Sequence, residues 1–205
     1  MVSLLQMKTS DIYKQYKLMP QLIKHQLRVA GVTKLITKSW DDSVLANKAV
    51  RACLLHDMGN MAKFTDLSDP FWIEEQKIFW EKYGQEAHEA TYSILRELGF
   101  EEYVDILKIE SSCYDIKNEK LILENINKPA LMVLYSDLRV DLNGVVTLYE
   151  RIKDLITRYP GSNRPETVWG AELERYVQIL TPIKVTEINE AMVKPIFDDL
   201  LALEW

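Results

Sequence analysis

Apolar residues recur every three to four positions through most of this chain, while the strict alternation that marks a half-buried strand is nearly absent. Seven glycines and seven prolines punctuate the 205 residues, and Asn143-Gly144 is the one hairpin-type turn signal. The pattern predicts an all-α fold. Hydrophobic residues make up 47% of the sequence, enough to bury a core in one globular unit.

Pro20 suits the first turn of a helix reaching about Lys38, with Leu22, His25, Val29, Val32 and Ile36 on or near one stripe. Asp41 or Ser43 can cap a second helix bearing Val44, Leu45, Ala49, Ala52 and Leu55; it ends near Gly59, with His56 and Asp57 in its last turn. Residues 66–84 are aromatic-rich, interrupt the regular pattern and read as an insertion or lid. Trp72, Gln76, Phe79 and Tyr83 nevertheless keep a spacing that suits a helix packed on the core. A helix over 85–98 carries His88 and stops at Gly99, and another starts near Tyr103. Pro129 opens an apolar helix reaching about Leu142, with Ala130, Val133, Leu134, Asp137 and Asp141 near one face. Residues 159–165 read as an exposed loop, and two amphipathic helices are expected beyond it.

Charge and cysteine usage exclude several classes. Lys and Arg total 25 against 31 Asp and Glu, a net charge of -6, and no basic run is dense enough to track a nucleic-acid duplex. Cys53 and Cys113 are too far apart in sequence to form a thiolate knuckle and imply no disulfide framework. The first 19 residues mix Lys8, Asp11, Lys14 and Lys17 among apolar residues, so neither a signal core nor a membrane span is expected, and the reading is cytoplasmic.

The chain has only three histidines, His25, His56 and His88, each on an expected helix. His25, the adjacent His56-Asp57 and Asp137 interrupt apolar surroundings on three different helices. Each alone is more often a packed or solvated residue. Together they suit a single divalent cation, since an isolated carboxylate in a low-dielectric interior is strongly disfavoured.

In their order and settings these segments, Leu22 to Ala30 around His25, Cys53 to Gly59 around the doublet and Leu134 to Val140 around Asp137, resemble the HD superfamily of metal-dependent phosphohydrolases. The resemblance covers roughly residues 18–155. It implies an HD-domain-like helical bundle, which with the loop reading gives a domain over 1–158 and residues 159–205 as a loop and a C-terminal helical extension packed on the same domain. It also implies one divalent metal (Mn, Fe, Mg, Co, Ni or Zn) held by His25, His56, Asp57 and Asp137. Such a metal polarises a phosphoryl oxygen and lowers the pKa of bound water. The substrate implied is a nucleotide or another small phosphorylated molecule.

Hydrolases of this kind often carry an acidic or lysine residue three positions after the doublet's Asp, where this chain has Asn60. Asp57, Asn60, Lys63 and His88 are the candidate catalytic residues, and Arg28, Lys63 and His88 the candidate phosphate contacts. Solvated lysine or arginine is an equally good reading of Lys63, Arg28 and Arg139. Arg28 could alternatively pair with Asp57 or Asp137. Members with two metals add a histidine pair that residues 108–113 lack, so one metal is expected; Glu110 could stand in as an oxygen ligand, but reads first as an exposed helix glutamate. Competing readings are a regulatory domain that binds a nucleotide without turnover and a structural helical protein without metal. The oligomeric state, including a homodimer, stays open.

Overall fold

A computed structural model describes residues 7–65, 67–115, 123, 126–160 and 166–205. Among them the chain is helical, with two isolated β-bridges. In order come α1 (Thr9–Gln15), α2 (Pro20–Thr37), α3 (Ser43–Leu55), a 3-10 turn (Asn60–Lys63), α4 (Pro70–Tyr83), α5 (Ala87–Glu97), α6 (Glu101–Ser112), α7 (Lys128–Asp137), α8 (Leu148–Arg158) and α9 (Glu166–Ile179). Short elements follow, including α10 (Glu190–Val193) and α11 (Phe197–Leu201). No helix among the described residues is long and apolar enough to cross a membrane.

Local chemistry sets the helix ends. Pro20 and Pro129 sit in the first turns of α2 and α7, where the missing N–H costs nothing. Asp42, rather than Asp41 or Ser43, caps α3 by accepting from the Leu45 N–H at 2.9 Å. Gly99, at φ 74, ends the segment after α5 in the left-handed region that glycine enters without strain. The helix after Pro129 is shorter than expected: α7 stops at Asp137, and the chain turns through a bridge between Val140 and Val145. Asp141 therefore lies in that turn, accepting from the N–H groups of Asn143 and Gly144.

Helices α2, α3 and α7 pack on one another at the centre, and α6 covers α3 and α7. Leu54, Leu55, Ile94 and Val104 are fully buried in one apolar cluster. Val32, Ile36, Leu134, Trp169 and Val177 form a second, so α9 shares a core with α2 and α7. Each such aliphatic side chain stabilises the fold by roughly 1.5–3 kcal/mol relative to exposure. Val44, expected on the inner face of α3, is 74% exposed.

Two further expectations need correction. The aromatic segment is a regular helix, α4, and not an irregular lid. Its Gln76 donates to the carbonyls of Met61 and Phe64 at 2.8 Å, and its Trp80 Nε1 donates to the Ala62 carbonyl at 3.3 Å. Helix α4 thus clamps the turn that follows the His-Asp doublet. Beyond α9, a second amphipathic helix is replaced by short turns, because Pro182 and Pro195 cannot continue a helical ladder. Of the expected loop, residues 161–165 lie outside the described residues, as does residue 66 of the aromatic segment.

Gly59 lets α5 approach the doublet. Its N–H donates to Thr91 Oγ1 at 2.9 Å, and a Cβ there would lie 2.1 Å from the Ala87 carbonyl oxygen and 2.6 Å from the Thr91 nitrogen. Backbone cannot yield as a side-chain tip can. Gly59→Ala is expected to cost about 2–3 kcal/mol through overpacking, read as a lower urea midpoint; an unchanged midpoint would count against this contact.

Candidate metal centre

The three central helices deliver the candidate ligands to one point. His25 projects from the second turn of α2, His56 caps the C-terminus of α3 with Asp57 next to it, and Asp137 is the last residue of α7. His25 Nε2 lies 3.3 Å from His56 Nε2, 3.4 Å from Asp57 Oδ2 and 3.0 Å from Asp137 Oδ1. His56 Nε2 lies 3.6 Å from Asp57 Oδ2 and 3.7 Å from Asp137 Oδ1. Donor atoms of His25, His56 and Asp137 all fall within 4.8 Å of one another, and Asp57 approaches both imidazoles from beside that trio.

These separations match a cation's coordination shell. Bonds of about 2.1 Å give ligand–ligand edges of about 3.0 Å in an octahedron and about 3.4 Å in a tetrahedron. Tautomer chemistry agrees. The Nδ1–H of His56 donates to the Cys53 carbonyl at 2.8 Å, which leaves the Nε2 lone pair of the neutral ring facing the cluster. Electrostatics agree as well. Burial works against charge on His56, but Asp57 and Asp137 outweigh it and raise its pKa to about 9. Burial also opposes ionisation of Asp137, yet the adjacent imidazoles of His25 and His56 hold its carboxyl well below the usual range. The point where the four side chains meet draws positive charge, and the donor set suits a borderline divalent ion.

Behind the ligands runs a buried polar chain that sequence reasoning missed. Thr33 Oγ1 on α2 lies 2.8 Å from Ser136 Oγ on α7 and 3.1 Å from Cys53 Sγ on α3. Ser136 precedes Asp137, and Cys53 supplies the carbonyl that orients His56. The chain thus ties together the three helices that carry the candidate ligands, through residues that do not line the cavity. The available signal was small polar residues on otherwise apolar helix faces, which taken singly are weak evidence.

In front of the ligands opens a cavity of about 760 Å3. Arg28, Asn60, Lys63 and His88 all line it. Lys63 is exposed at the rim, and His88 is held below its ordinary pKa by desolvation and by Lys63. Arg28 pairs with neither Asp57 nor Asp137: its Nε donates to both carboxylate oxygens of Glu190 at 3.0 Å. Glu110 is not an exposed helix residue. It lies 8% exposed on the cavity wall, where burial, with Asp137 adding to the effect, pushes its carboxyl up to about 8. Arg139 is neither a phosphate contact nor a surface residue, being fully buried among backbone carbonyls.

The HD domain family matches residues 22–138, a stretch that begins three residues before His25 and ends one residue after Asp137. Comparison with curated proteins and with solved structures gives no match.

Proposed function

The chain belongs to the HD domain family, and on that premise we propose that it is a cytoplasmic, metal-dependent phosphohydrolase acting on a nucleotide or another small phosphorylated metabolite. One observation carries this reading: the imidazoles of His25 and His56 lie 3.3 Å apart and 3.0–3.7 Å from carboxylate oxygens of Asp57 and Asp137, on the lining of a cavity. His25, His56, Asp57 and Asp137 would hold the ion. When bound, a divalent cation supplies Lewis-acid polarisation of a phosphoryl oxygen and a lower pKa for water. Lys63 offers a point charge to the phosphate, and His88, kept neutral beside it, can donate to or accept from a phosphate oxygen or a water. Asn60, at the place where relatives carry a charged group, can orient but cannot take a proton. Proton transfer then falls to His88 or to Asp57.

Elemental analysis of protein purified without a histidine tag, followed by a phosphate-release screen, tests the reading. Stoichiometric divalent metal and metal-dependent release are expected, both lost in His56→Ala and Asp57→Ala. Metal-free wild type that takes up no ion on titration would overturn it. Asn60 also favours a second reading, a regulatory domain that binds a nucleotide without turnover, which predicts bound metal and ligand but no released phosphate.

A further inference from the structure

The cavity holds more phosphate-binding capacity than one phosphate can use. Lys63 and His88, on the turn after the doublet and on α5, serve a phosphate at the ligand cluster. A second cationic group comes from a different element. On α8, Arg151 and Arg158 are seven residues apart, and both line the cavity together with the buried Leu155 between them.

Both guanidinium groups are fixed by one carboxylate. Asp154 Oδ2 accepts from Arg151 at 3.1 Å, Asp154 Oδ1 accepts from Arg158 Nε at 3.0 Å, and a further Arg158 N–H closes the fork on Oδ2. Two cations against one anion leave the cluster with a net positive charge. The Arg151 side chain is only 12% exposed, so its desolvation is already met in the free protein, and among the described residues its Nε has no hydrogen-bond partner. Guanidinium is the side chain best matched to the oxygens of a phosphate, and a pre-fixed fork loses little rotamer entropy when it binds one. A cavity of about 760 Å3 is large for a single phosphate ester, lying high in the roughly 300–1,000 Å3 range of small-molecule sites.

We propose that Arg151, Asp154 and Arg158 form a second phosphate subsite, and that the substrate is a metabolite with two phosphate groups, one at the ligand cluster and one at α8. The inference rests on the phosphohydrolase reading, whose active pole it shares, but its test does not depend on turnover. Calorimetric titration of the full chain in EDTA compares AMP, ADP and adenosine 3′,5′-bisphosphate, the last two distinguishing contiguous from separated phosphates. At least one two-phosphate probe is expected to bind tenfold or more tightly than AMP. Arg158→Gln, at the more exposed end, and Arg151→Lys, which keeps charge but loses the fork, should each shrink that advantage to threefold or less. Lys153→Gln, the same loss of charge on an α8 residue that does not line the cavity, should leave it intact.

Equal binding of all three probes, or an advantage that survives both arginine substitutions, would overturn the subsite. If it fails while metal uptake and phosphate release hold, the phosphohydrolase reading stands without it. If the arginine-dependent advantage appears in a protein that takes up no metal, the subsite stands and the enzyme does not.

Discussion

Arg139→Ala should lower the free energy of unfolding by about 4 kcal/mol, among the largest effects expected of any substitution outside the ligand cluster. The Arg139 side chain is wholly buried, and each arm has a partner. Nε donates to the Val146 carbonyl at 2.6 Å, Nη2 to the Ile188 carbonyl at 2.9 Å, and Nη1 to the Val185 carbonyl and the Tyr135 hydroxyl. Tyr135 in turn donates to Glu174 at 2.9 Å, which brings a carboxylate within 4.0 Å of the guanidinium. Alanine would strand the carbonyls of Val146 and Ile188, each at roughly 1–3 kcal/mol, would take one donor from the Val185 carbonyl and the Tyr135 hydroxyl, and would leave a void beside them. In a chain of this length the melting temperature should fall by about 8–16 °C. Arg139→Lys should recover less than half of the loss, since one ammonium cannot reach groups arranged for a planar fork. A loss under about 1 kcal/mol in urea denaturation would mean that the network is dispensable.

Arg139 also marks where the sequence stopped being informative. The carbonyls that define its role come from residues up to 49 positions away, so nothing local separates it from a solvated arginine. Glu110 misled for the same reason: its own helix looks amphipathic, and only the packing of α6 on α7 buries it. Helix α4 was hard to read because apolar residues occur on both sides, with Phe71 and Ile78 exposed while the polar Gln76 is buried, which blurs the period. By contrast, α2, α5 and the start of α7 are written in proline, glycine and a clean apolar stripe. The ligand cluster was legible because its residue types are chemically costly inside a helix bundle unless they meet. What holds the cluster in shape, the Thr33, Ser136 and Cys53 chain, was not, because hydroxyl groups cost little when they find partners and leave no trace in the pattern.

The second large effect concerns the ion itself, and it has a readout independent of catalysis. A ligand that binds only the folded state stabilises it by RT ln(1 + [L]/Kd), about 2.7 kcal/mol at a hundredfold excess over Kd. For a chain of this size, Mn2+ added to EDTA-treated protein should therefore raise the melting temperature by about 5–11 °C. Asp137→Asn keeps the shape of the side chain but halves the carboxylate charge facing the two imidazoles, and its oxygen is a poor match for a cation already short of anionic ligands. In this variant the shift is expected to drop below about 2 °C at the same Mn2+ concentration, with phosphate release down by about 100-fold or more, equivalent to at least ~2.7 kcal/mol of barrier. Arg158→Gln, on α8, should keep the full Mn2+ shift, because α8 contributes none of the donor atoms. Two results would break the argument: wild type indifferent to every divalent ion tried, or Asp137→Asn responding as strongly as wild type. In the second case the end of α7 would be a neighbour of the ion and not one of its ligands, leaving His25, His56 and Asp57 to hold it alone.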